Sequence, residues 1–133
     1  MALLILMLGC QGLAGRWEGT LLCPGRQTSL EGEAVLLLWR DGGGELAGEL
    51  RAEGEAASTT GREPMLAAWE LELERSAPSG RQDLGADLRA CSLYLSGELA
   101  EEGCDDAQGS WTWDGAGALW MEGERCGLEL ERG

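Results

Sequence analysis

The chain has no histidine, lysine, phenylalanine or asparagine, and a single tyrosine, Tyr94, among 133 residues. Without His or Lys, the commonest general base and the Schiff-base amine are both missing. No G-x-S-x-G occurs, and no glycine-rich phosphate loop precedes a helical pattern. There is no C-x-x-C and no zinc-type cysteine spacing. The run Glu101-Glu102-Gly103-Cys104-Asp105-Asp106 has carboxylates but lacks the alternate spacing of a calcium loop, so it reads as a solvated loop. No apolar run is long enough to cross a bilayer as a helix. The chain is therefore expected not to be an enzyme, and to carry no cofactor and no metal. Carboxylate pairs can hydrolyse glycosides, but most carboxylates here alternate outward on strands, as on a solvated face.

Positive charge is also scarce. Ten basic residues stand against 24 acidic ones, for a net charge of −14. That surface repels phosphate backbones, which excludes nucleic acid as a partner. Of the missing residue types, Phe, Lys and Asn have AT-rich codons, and the abundant Gly, Ala and Arg have GC-rich ones. Codon bias is thus the simplest account of the absent lysine. Hydrophobic content of 44% is enough for one core, and the length suits one domain.

The first ten residues read MALLILMLGC. A short apolar run, Leu3 to Leu8, precedes Gly9 and Cys10. This resembles the end of a bacterial lipoprotein signal peptide, where a small residue precedes the cysteine that is acylated. Met7 stands where Leu is usual, no basic residue precedes the run, and the segment is short for a complete signal, which places the true start upstream of Met1. The resemblance implies a lipid on Cys10, residues 1–9 as a signal remnant, 10–14 as a tether and 15–133 as the domain. It also implies a membrane partner through the anchor, in a bacterial envelope. Gln11, rather than Asp, after the cysteine points to the outer membrane.

Four cysteines then remain, Cys23, Cys91, Cys104 and Cys126, an even number that suits an oxidising compartment. Three pairings are open. In a closed antiparallel barrel the end of the first strand and the start of the last are neighbours. That geometry predicts Cys23–Cys126, and leaves Cys91–Cys104 to close a hairpin turning at Ser96-Gly97.

Period-two alternation dominates the rest. Strands are expected at 15–23, 30–40, 45–53, 65–75, 91–100, 109–114, 118–122 and 126–131. Residues 82–90 fit either a helical turn or a strand. Turns or loops are expected at 23–29, 41–44, 54–64, 75–83, 101–108 and 114–117. The sum is an all-β, antiparallel up-and-down meander of about eight strands, with a small barrel preferred over a sandwich because open edges invite aggregation. Inward glycines at 19, 32 and 48 suit the bends that closure needs.

Gly15-Arg16-Trp17, opening the first strand, resembles the G-x-W of calycin barrels such as lipocalins and avidins. The resemblance implies a late-strand Arg packed over that Trp, with Arg125 and Arg132 as candidates, and a small-ligand cavity at one end of the barrel.

Two function classes follow. Trp17, Trp69, Trp111 and Trp113 fall on inward faces, where they either fill the core or line a cavity for a small apolar or aromatic ligand. Val35, Leu37 and Trp39 fall on the outward face of the second strand, where polar residues are expected. They form either a protein-partner surface or the seat of a covering segment of this chain. The leading expectation is a lipid-anchored interaction, structural or inhibitory protein, and the alternative is a calycin-like binder.

Overall fold

A computed structural model describes residues 12–25, 27–43, 45–75, 83–103 and 107–133. It shows nine antiparallel strands and no α-helix among the described residues: β1 Gly15–Cys23, β2 Thr28–Arg40, β3 Leu46–Ser58, β4 Gly61–Arg75, β5 Asp83–Leu95, β6 Glu98–Glu101, β7 Gly109–Trp113, β8 Ala118–Gly123 and β9 Gly127–Arg132. Strands consecutive in sequence pair in space, except that β7 follows β6 in the chain and pairs with β5. The order runs β4-β3-β2-β1-β9-β8-β7-β5-β6, and β4 also pairs with β5. Eight strands thereby close an up-and-down barrel, and β6 forms a hairpin with β5 outside the ring.

Alternation places the core. On β2, Gly32, Ala34, Leu36 and Leu38 are buried, and on β4 so are Met65, Ala67, Trp69, Leu71 and Leu73. Trp69, Leu71 and Leu73 stand between Glu70, Glu72 and Glu74, so the Leu-Glu run forms a strand despite its helical propensity. Among the described residues the buried set contains no charged or polar side chain apart from tryptophan.

Closure brings backbones unusually close. A Cβ on Gly19 would lie 1.7 Å from the Glu129 carbonyl oxygen across the β1–β9 ladder. Gly54 would meet the Glu31 carbonyl at 1.9 Å. These positions need glycine for space.

One sequence expectation is corrected, one segment divides at the turn expected within it, and one left open is decided. The loop expected over 54–64 is mostly ladder. Strands β3 and β4 pair through to Ser58↔Gly61, leaving only Thr59-Thr60 as the turn. Glu, Ala and Ser are weak strand formers, and pairing on both sides overrides that. The segment expected over 91–100 divides between β5 and β6 at Ser96-Gly97, the hairpin turn expected there, where positive φ values of 52° and 82° reverse the chain. Residues 83–90, which the sequence left open, belong to β5 and pair along β4, with a bulge opposite Glu70/Leu71.

The seam of the barrel is narrow. Among the described residues β5 joins β7 through two residue pairs, Asp83↔Thr112 and Leu84↔Trp111. Further along the same edge, β5 pairs with β6 instead. Strands β3 and β4 run 13 and 15 residues, and β7, β8 and β9 only 5, 6 and 6. One end of the barrel is thus unevenly walled.

Candidate functional site

The two ends differ. At one end the chain entering β1 forms a plug. Trp17 is fully buried, and its Nε1 donates to the Leu13 carbonyl at 2.9 Å. Arg132, at the end of β9, lies 4.3 Å from the centre of the Trp17 ring. Register explains the meeting, since Trp17 is directly opposite Arg132. The guanidinium also donates to the Ala14 carbonyl at 3.1 Å and to the Gly12 carbonyl. Its flat fork thus covers the indole face and ties down Gly12–Ala14 together. Of the two arginines considered, Arg132 takes this place. Arg125 lies in the β8–β9 turn, by the opposite end.

A cleft of about 610 Å³ opens beside the plug, bounded by Arg40, Glu45, Glu72, Asp87 and Trp113. Carboxylate oxygens of Asp41, Glu45 and Glu72 lie within 4.8 Å of one another. The charges of Glu72 and then Asp41 raise the Glu45 pKa above its ordinary value. A raised folded pKa means that this group favours folding at low pH, and that the benefit is lost as pH rises through the raised value. In the nearby β7–β8 turn, Asp114 behaves oppositely. Its carboxylate accepts from the Ala118 and Ala116 N–H groups, which lower its pKa. Asp114 therefore supports the turn above its ordinary pKa, and that support disappears as pH falls through the lowered value.

The other end holds a cavity of about 700 Å³. Its apolar wall includes Leu21, Leu30, Ala67, Trp69, Leu93 and Leu95. Glu101, Glu124 and Arg125 bring charge to it. Cys23 and Cys126 form a disulfide in the same wall, linking the end of β1 to the residue before β9. Cys91, also in the wall, is disulfide-bonded, and its partner lies outside the described residues, as does the expected Cys104. A volume of this size suits a small organic molecule.

The four inward tryptophans do not share one site. Trp69 lines the larger cavity and Trp113 the cleft at the plugged end. Trp17 and Trp111 are packed into the core, at 0% and 1% exposure. The sequence could not separate them, because alternation reports a face and not a depth along the barrel. Leu93 and Leu95 share the face of Cys91 by the same period of two, and the bulge in β5 is what puts them on one face with Leu84 and Leu88.

On the outer wall Val35 is half-buried, while Leu37 and Trp39 are 42% and 45% exposed. A second outward apolar row crosses β4, β5 and β6, where Leu66 pairs with Tyr94 and Tyr94 with Leu99. Cys10, the expected acylation site, lies outside the described residues.

Compared with protein-family models, curated proteins and solved structures, the chain matches none.

Proposed function

We propose that this protein is a calycin-like binder of a small apolar molecule, tethered by a lipid on Cys10 to a bacterial envelope membrane, the outer one by the Gln11 criterion, and not an enzyme. The observation that carries the reading is the cavity of about 700 Å³ at the unplugged end, with Trp69 and aliphatic side chains in its wall. The Arg132–Trp17 stack supports the calycin comparison, since it is the contact that the G-x-W resemblance implies.

Ala67 provides the direct test. It is buried on β4 and lines the cavity, so Ala67→Phe puts a ring into the space a ligand would use. Quenching of tryptophan fluorescence by N-phenylnaphthylamine should report binding to the unaltered domain. In the variant, affinity should drop roughly tenfold or more while the fold persists, as for a tolerated overpacking change. No binding by the unaltered domain, together with no ligand in native mass spectrometry, would sink the proposal. The anchor has its own test. Metabolic fatty-acid labelling in an exporting host should vanish in Cys10→Ala, and labelling that survives rules out acylation there.

A second reading rests on the outer wall. Leu37 and Trp39 are exposed, and no described segment covers them. An interaction, structural or inhibitory role would use that face toward a protein partner.

A further inference from the structure

Charge and apolar surface are separated by depth in the 700 Å³ cavity. Leu21, Ala67 and Trp69, in its wall, are buried. Glu101, Glu124 and Arg125, in the same wall, are exposed. The charged groups therefore stand at the mouth and the apolar ones below it. Among the described residues no charge lies deeper, since the buried set contains no charged side chain.

Two anchored elements carry the mouth. Glu124 and Arg125 lie in the turn between β8 and β9, where the Gly123 N–H donates to the Cys126 carbonyl at 2.9 Å. The Cys23–Cys126 disulfide fastens that turn to the end of β1. Glu101 ends β6 and pairs with Leu93, itself a cavity residue. The charges at the mouth do not cancel. Arg125 already has a partner within the chain. Neither Glu101 nor Glu124 takes part in an ion pair among the described residues. Low-dielectric walls focus the field of such groups, and the net charge of −14 adds the same sign at longer range. A cationic head is drawn to this mouth and an anionic one is repelled.

Resting on the cavity reading above, we infer that the ligand is a cationic amphiphile. Its apolar body lies against Leu21 and Trp69, and a single ammonium group stays at the mouth beside Glu101 and Glu124. Held there, the ammonium keeps water on its open side. It avoids the cost that a charge drawn into the apolar barrel would meet.

Decylammonium, decanol and decanoate have chains of one length and differ in the charge of the head. Each is titrated into the intact protein below its micelle concentration, with tryptophan fluorescence as the readout. The salt is about 0.1 M, where screening confines charge interactions to about 10 Å. Decylammonium should bind roughly tenfold more tightly than decanoate, the sum of a few exposed charge interactions, with decanol between them. Salt of about 1 M should remove most of that ratio. Glu101→Gln with Glu124→Gln should bring it down to about twofold while decanol binds as before. Glu18→Gln with Glu131→Gln removes the same charge from an outward pair near the plugged end, and should leave the ratio unchanged. Equal binding of decylammonium and decanoate, decanoate as the tighter ligand, or a ratio that the two double variants affect alike each overturns this inference and leaves the cavity reading standing. So does failure of all three probes where N-phenylnaphthylamine binds. Failure of all four overturns the two together.

Discussion

Trp17 and Arg132 show how much one pair of residues can organise. The indole fills the plugged end, and the guanidinium covers its face while holding the Gly12 and Ala14 carbonyls. Arg132→Met keeps the aliphatic stem and removes the fork. It should cost about 2–3 kcal/mol, from a partly desolvated cation–π contact and two hydrogen bonds to a charged donor. Urea unfolding measures the loss, and hydrogen exchange at Leu13 and Ala14 should quicken. Arg132→Lys should recover only part of it, since an ammonium cannot cover the ring and reach both carbonyls. A loss below about 0.5 kcal/mol, the usual effect of a neutral surface change, would mean the stack contributes nothing. Alternation alone placed Trp17 inward. The choice of Arg132 over Arg125 was not readable, because it depends on the β1–β9 register, which pairs the two ends of the domain.

At the scale of an element, β2 carries the clearest departure from pattern. Its outward apolar residues run between charged neighbours. Leu37 stands between Arg16 on β1 and Glu49 on β3, and Val35 between Glu18 and Arg51. Those neighbours form the ion pairs Arg16–Glu18 at 2.8 Å and Arg51–Glu49 at 3.9 Å, both exposed and worth little to stability. Their aliphatic stems flank the apolar row and leave the ends of Leu37 and Trp39 in water. Replacing Leu37 with Thr and Trp39 with Gln should then change stability by no more than about 0.5 kcal/mol, as at other surface sites. If the face meets a partner, in-cell cross-linking of the wild type should be lost in the double variant at unchanged Tm. A fall in Tm would mean instead that part of the chain lies over the face. No change in either measurement removes the support for an interaction role. Strand β5 was the least legible element. Leu84 and Leu88 fit one helical turn as well as a strand, and only pairing along the full length of β4 decides between them.

For the whole molecule the question is closure. The ring closes by a continuous ladder between β1 and β9 and, among the described residues, by only two residue pairs between β5 and β7. The Cys23–Cys126 disulfide reinforces the first of these joins, across a sequence separation of 103 residues. A loop of that size restricts the unfolded chain strongly. Replacing both cysteines with Ala should therefore cost about 4 kcal/mol, read as a lower urea midpoint. The fold should survive at low temperature, because both cysteines lie at strand ends and the core ladders do not pass through them. A cost under about 1 kcal/mol would show that the reduced chain is already confined and that closure does not depend on the staple.

The sequence by itself determined the class of the fold, the inward face of most strands and the Cys23–Cys126 pairing. Those follow from local alternation, from turn residues, and from the adjacency of first and last strands in any closed meander. Only the tertiary structure decided how deep each inward side chain lies. Trp17, Trp69, Trp111 and Trp113 obey the same period of two, yet one is stacked in a plug, one lines a cavity, one is buried with its donor unmet among the described residues and one borders a cleft. Depth is set by how far each strand is displaced along its neighbour around the ring. That displacement is a property of all the ladders together, and no single segment of the chain encodes it.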